Sequence, residues 1–314
     1  MEKNEGKKKI FDGEAIKCQS FIERLNKCTT DEEIKAYVDS IVEAFPQSDV
    51  KELGTKAMFS KGAYSNNGQY NGFIGENIKL SNSTLGYSYH IYDRDYLYNF
   101  ASKVKDMNLK EGKEVIPYVL EYLNEYFGYP KDNVDRREDV LYDYSLKHAE
   151  EFYKRQGKSL EKGFENYSEQ MQMEGSFPIS ALKGTHSAQC IERAAIAQNI
   201  LKMCGYDSSI IYGDIQKNGR VNGHCWNSIS DKDGNVMLVD YSDVVLAYND
   251  GTYSYMKPYI YTISKEDYER NGGTISLPDY RIDNKKRISN QSVRKYAAGK
   301  SLTKEEPNLE EQEQ

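Results

Sequence analysis

Three residues whose types work together in acyl chemistry occur in order along the chain: Cys190, His224 and Asp240. A thiol beside an imidazole can give up its proton to become a nucleophile, and a carboxylate on the other side of the ring fixes the tautomer and stabilises its charge. Such a set attacks a carbonyl carbon and passes through a thioester. Cys190 stands where a Gly/Thr/Ser stretch, 184–187, gives way to an Ala-rich run over 190–203 that is closed by Gly205. This pattern predicts a helix whose first residue carries the thiol. Unpaired N–H groups and the positive end of the helix dipole favour a thiolate there and can hold an oxyanion.

The elements that must bring the other two groups to the thiol follow directly. β-rich runs over 209–215, 220–229 and 236–241 are separated by Lys217-Asn218-Gly219 and by Asp231-Lys232-Asp233-Gly234-Asn235. Asn-Gly and Asp-Gly between such runs mark hairpins, so a three-stranded antiparallel meander is expected after the helix. His224 lies on the second strand and Asp240 on the third. If 232–234 form a three-residue loop with Gly234 at positive φ, Asp231 pairs with Asn235 and Trp226 falls opposite Asp240. His224 and Asp240 then share a face as diagonal neighbours. A two-residue turn at Asp233-Gly234 would put them on opposite faces, so the catalytic reading requires the odd-length loop.

Cys190 followed by Glu192 and Ala194, then His224-Cys225-Trp226, then Val239-Asp240, resembles the transglutaminase-like core of the papain-like cysteine enzymes. There a Gly-x-Cys-x-(acid or aromatic)-x-Ala segment, a His-Ala-Trp segment and an Asp ending the next strand occur in the same order. The resemblance covers 184–243 of the 314 residues. It implies an α+β fold with a papain/transglutaminase-like core, the catalytic Cys at the N-terminus of a helix packed on an antiparallel sheet, and a mainly helical N-terminal part. By the same resemblance Cys190 is the nucleophile, His224 the general base and later acid, and Asp240 the group orienting the imidazole, with no cofactor and no metal. Candidate substrate contacts are Gln189, His186 and Trp226, the substrate being a protein or peptide. Three positions depart from the pattern: Ala188 stands where Gly is frequent, Tyr241 where Pro is frequent, and the aromatic that helps form the oxyanion hole in some members has no counterpart.

The acyl acceptor decides the reaction: water gives a peptidase or deamidase, an amine gives transamidation. The short connection from Cys190 to His224 leaves little room for calcium-binding elaborations, and no acidic EF-hand-like loop occurs, so hydrolysis is the expectation. The alternatives are a catalytically silent scaffold of this fold that binds a protein partner and an arylamine-type acyltransferase.

Other candidates have plainer readings. Cys225, adjacent to His224 on a strand, should point to the opposite face, and Cys204 in the last helical turn should pack. His148 lies on the apolar stripe of its helix and His90 among tyrosines, both structural. Glu192 and Arg193 suit an ion pair or helix packing. Zinc ligation asks for close Cys or His pairs, and the one close pair, His224-Cys225, has diverging side chains. Five cysteines, an odd number without a CxxC pair, fit a reducing compartment. A net charge of −7 argues against wholesale nucleic-acid binding. No apolar run reaches membrane-span length and no signal core follows the N-terminus, so a cytoplasmic protein is expected.

The chain is expected to divide into a disordered start (1–9), a mainly helical region (10–174) with a Gly/Asn/Tyr-rich insertion (54–92), the catalytic core (175–282) and a polar, disordered tail (283–314). Within the helical region, helices are expected over 10–28, from the capping box Thr30-Asp31-Glu32-Glu33 to Pro46, over 93–106, over 115–127 with Gly128 and Pro130 as stops, and over 136–156. Strands are expected around 72–80 and 85–91. The 27 tyrosines, against 10 phenylalanines and one tryptophan, suggest biased usage more than a binding groove.

Overall fold

The structure, a computed structural model, describes residues 12–54, 68–82, 87–109, 112–128, 140–141, 144, 176–217, 220–230, 236–249, 252–263 and 302–303. The first two helices are α1 (Asp12–Leu25) and α2 (Asp31–Val42). Thr30 caps α2, its hydroxyl accepting the Glu33 N–H at 3.2 Å. The Glu33 carboxylate reaches one residue further back than a capping box requires, taking the N–H and the hydroxyl of Thr29. Helix α3 (Asp95–Asp106) begins two residues later than expected, with Arg94 at its N-cap. Helix α4 (Val115–Phe127) follows a 3-10 turn and ends at Gly128, whose φ of +85° only glycine adopts without strain. The helix expected over 136–156 falls almost wholly outside the described residues, as do His148 and 158–170; Val140, Leu141 and Tyr144 are helical.

Helix α5 (Cys190–Met203) has the predicted bounds. It closes with the Gly205 N–H on the Lys202 carbonyl and the Tyr206 N–H on the Leu201 carbonyl, each at 2.9 Å, around Gly205 at φ +88°. Both bonds belong to a Schellman stop.

Two sheets flank this helix bundle. The smaller has the order β1-β3-β4-β5, built from Glu52–Gly54, Lys79–Asn82, Tyr87–His90 and Ser176–Pro178. The strand expected around 72–80 is shifted toward its C-terminal end, because Gly72, Gly75 and Asn77 make 71–78 a turn, closed by the Ile78 N–H on the Gly75 carbonyl. The larger sheet has the order β10-β9-β8-β7-β6-β2 and is antiparallel throughout, from Gly68–Tyr70 (β2), Ser208–Lys217 (β6), Arg220–Ser230 (β7), Val236–Asn249 (β8), Thr252–Ile263 (β9) and Leu302–Thr303 (β10). The expected meander is its centre, extended by a strand from the first hundred residues on one side and by β9 and β10 on the other. β2 and β5 thus each pair with strands from the other part of the chain.

Helix α5 is buried on twelve of its fourteen residues, including Glu192, Arg193, Gln198 and Asn199. A helix covered all round is a central one. Ala194, Ala195 and Ala197 are small enough for close approach, and Asn227 of β7 donates to the Ala194 carbonyl at 3.0 Å. On another side Asn199 clasps the N-terminal region: its Oδ1 accepts the Ile74 N–H at 2.7 Å, and its Nδ2 donates to the Ile74 carbonyl at 2.9 Å and to the Tyr96 hydroxyl at 2.7 Å. Many tyrosines serve as core residues whose hydroxyls end on backbone: Tyr122 on Tyr96, Tyr206 on Gly112 and Tyr241 on Ile116. The fold is α+β. No helix among the described residues is long and apolar enough to cross a membrane.

Candidate active site

Cys190 is the first residue of α5 and Gln189 its N-cap. The N-cap N–H is taken by the buried Glu192 carboxylate at 2.9 Å, so Glu192 locks the entry to the helix. Arg193 turns to the end of α4. There the guanidinium, 1 % exposed, donates to Asn124 Oδ1 at 2.9 Å and to the Gly128 carbonyl at 2.8 Å and lies over the Phe127 ring. Burial pulls its pKa down to about 10, with the Glu192 and Asp240 charges opposing the fall, so it stays cationic at neutral pH. The backbone N–H groups of Cys190 and Ile191 have no partner among the described residues. They point out of a helix N-terminus and are available to an oxyanion.

The loop before the thiol is pinned to the same helix end. Gly184 and His186 donate their N–H groups to the Tyr126 and Phe127 carbonyls at 2.8 Å each. His186 adopts φ +63°, a left-handed conformation costly for a side chain-bearing residue. Its ring packs on Gly128 so closely that a Cβ there would stand 2.5 Å from Nδ1.

The ladder between β7 and β8 runs from Ser230 with Val236 to Asn227 with Val239. The next residues along the two strands are Trp226 and Asp240, so the register is the odd-loop one, although the loop itself lies outside the described residues. His224 Nε2 donates to Asp240 Oδ2 at 2.6 Å. The Cys190 thiol is a hydrogen-bonding neighbour of the same imidazole, whose Nδ1 is the nitrogen left for it. Burial works against charge on His224, but the Asp240 carboxylate and Cys190 beside the ring outweigh it and raise its pKa well above the ordinary histidine value. Burial likewise pushes the Asp240 carboxyl up, and the opposing effects of His224 and Ser242 hold it below the usual carboxylate value. The pair is therefore an imidazolium and a carboxylate over a wide pH range.

Trp226 is completely buried and stacked beside His224, ring centres 6.1 Å apart, so its bulk keeps water from one side of the ring. Gln189 and His186 are half-buried at the mouth of the helix. Cys225 is buried with Tyr212, its partner across β6 and β7, as a hydrogen-bonding neighbour, and Cys204 is fully buried. His90 is held by the Glu76 carbonyl at 2.8 Å and stacks on Tyr92. Among the described residues no three His, Cys, Asp or Glu side chains are grouped so as to hold a metal ion.

One residue of the site escaped the sequence reading. Ser242 donates its hydroxyl to Asp240 Oδ1 at 2.7 Å and its N–H to the same oxygen at 2.9 Å. The spacing Asp-x-Ser, in which a carboxylate accepts from the residue two further on, was the available signal. Compared with known proteins, the chain matches no family model, no curated protein and no solved structure.

Proposed function

We propose that this chain is a transglutaminase-like cysteine enzyme, with a papain-like core, that acts on the amide or ester carbonyl of a protein or peptide through a Cys190 thioester. The observation that carries the reading is the imidazole of His224, held by Asp240 at 2.6 Å and flanked by the thiol of a helix N-terminus. Three groups from a helix and two strands meet in the order of roles that such chemistry needs.

In the proposed reaction Cys190 attacks as the thiolate partner of the His224 imidazolium, and the sulfur bonds to the carbonyl carbon. The oxyanion is met by the Cys190 and Ile191 N–H groups. The leaving amine takes the proton from His224 as the C–N bond breaks, which leaves an acyl-enzyme. Water then attacks the thioester, giving its proton to His224, and the acid leaves as the C–S bond breaks, which restores the thiolate and imidazolium. Peptidase or deamidase action is the expected outcome; an amine in place of water gives transamidation by the same steps.

The test is the rate of iodoacetamide alkylation at each cysteine, read by mass spectrometry across pH. Cys190 should react fastest and stay reactive below neutral pH, where an ordinary thiol of pKa about 8.5 is protonated. His224→Ala should abolish that advantage. If Cys190 reacts no faster than Cys28 and ignores His224, the fold serves as a binding scaffold instead.

A further inference from the structure

We infer that Ser242 is a positioning residue of this site: it fixes the Asp240 carboxylate so that a single oxygen, Oδ2, faces the imidazole. The inference rests on the reading of Cys190, His224 and Asp240 as a working triad. Two bonds from Ser242, hydroxyl and N–H, converge on Oδ1 at 2.7 and 2.9 Å. A carboxylate with free rotation presents either oxygen; one with Oδ1 held twice presents only Oδ2. The Ser242 oxygen also lies 3.3 Å from His224 Nε2. Since its own proton goes to Oδ1, its lone pair faces the Nε2–H, which is thereby shared between carboxylate and hydroxyl. Serine, carboxylate and imidazole close a triangle that sets the plane of the ring.

The backbone is shaped for this contact. Along β8 and β9 the pairing runs to Asp240 with Tyr259 and resumes at Val244 with Pro258, so Tyr241, Ser242 and Asp243 face no partner on β9. A bulge of this kind re-aims side chains, and it frees the Ser242 N–H from the ladder to turn onto Asp240. The pairing resumes at Pro258 itself, a residue that contributes no N–H to a ladder.

A matched pair, Ser242→Thr and Ser242→Val, differs only in the hydroxyl, and Ser242→Ala removes it with less bulk. The hydrogen-bonded Nε2–H of His224 gives a far-downfield proton resonance, identified by its loss in His224→Gln. It should stay sharp in Ser242→Thr and broaden or vanish in Ser242→Val and Ser242→Ala; a resonance unchanged in all three overturns the inference. In alkylation, Ser242→Val should slow Cys190 at about pH 6 by roughly tenfold relative to Ser242→Thr, the lower end of the loss seen when an orienting partner is removed. At about pH 9 the two should react alike, because an ordinary thiol is reactive there. Equal rates at about pH 6 in Thr and Val, with His224→Ala slow, overturn the role of Ser242 and leave the triad standing. If His224→Ala is as fast as the wild type, it is the triad that falls, and the resonance alone decides what Ser242 does.

Discussion

Asp240 and His224 hold each other in opposite charge states, and that gives the site a pH signature in stability. The folded His224 value lies above the unfolded one, about 6.5, so its contribution is complete below about 6.5 and is lost as pH rises through the folded value. The folded Asp240 value lies below the unfolded one, about 3.9, so its contribution is complete above about 3.9 and is lost as pH falls through the folded value. Between those limits both contribute in full. Asp240→Asn removes the counter-charge and leaves only Cys190 to oppose burial, so the His224 pKa should fall, and the variant should lose about 3 kcal/mol at about pH 5.5 and progressively less as the pH rises above that. Urea unfolding of both proteins across that range measures it. A constant difference would mean that no ion pair exists. Cys190, His224 and Asp240 were legible because order, hairpin register and a helix start point the same way. Ser242 was not, because a hydroxyl two residues after an acid is common and the bulge that turns it inward is a matter of pairing with β9, a strand away.

At the scale of elements, the end of α4 and the start of α5 form one joint. Arg193 ties them from below and the 184–189 loop from above, with Gly128 in between. Gly128→Ala should cost about 1–3 kcal/mol from its left-handed backbone and more from the Cβ driven against His186. His186→Ala in the same chain clears the ring but not the φ, so the double variant should recover only the steric part. Thermal unfolding of the two single variants and the double one separates the two; full recovery in the double variant would remove backbone strain from the account. Helix limits were readable at the glycine stops, Gly128 and Gly205, whereas α2 ends at Val42, short of the expected stop at Pro46. Strands were less so. β9 sets Tyr253, Tyr255, Tyr259 and Tyr261 at alternate positions, but tyrosine is both apolar and polar, so the alternation does not say which face is buried. β2 and β5 are short, and their partners lie far along the chain, so nothing local marks them. The tyrosine excess itself proves partly structural, a way of burying rings in a core where backbone carbonyls receive the hydroxyls.

For the whole molecule, the sharing of strands between the first hundred residues and the region after 175 means that neither sheet is complete without both. Asn199, at the middle of α5, is one of the polar links between them, satisfying both the N–H and the carbonyl of Ile74 as well as the Tyr96 hydroxyl. Removing it strands buried groups on the N-terminal side, each costing about 1–3 kcal/mol when left unpaired. Asn199→Ala should therefore lower stability by about 3 kcal/mol or more, and it should do so for the whole chain at once. Two probes can tell. Trp226 is the one tryptophan and sits beside His224, so its fluorescence reports on the active-site side of the large sheet. Far-ultraviolet dichroism is weighted toward helices, most of which, among the described residues, precede residue 130. In a single cooperative unit the two midpoints coincide in the wild type and move together in Asn199→Ala. Midpoints that separate, with the fluorescence transition unmoved, would show that α5 and the large sheet keep their fold without the N-terminal clasp, and that the site needs no support from the first hundred residues.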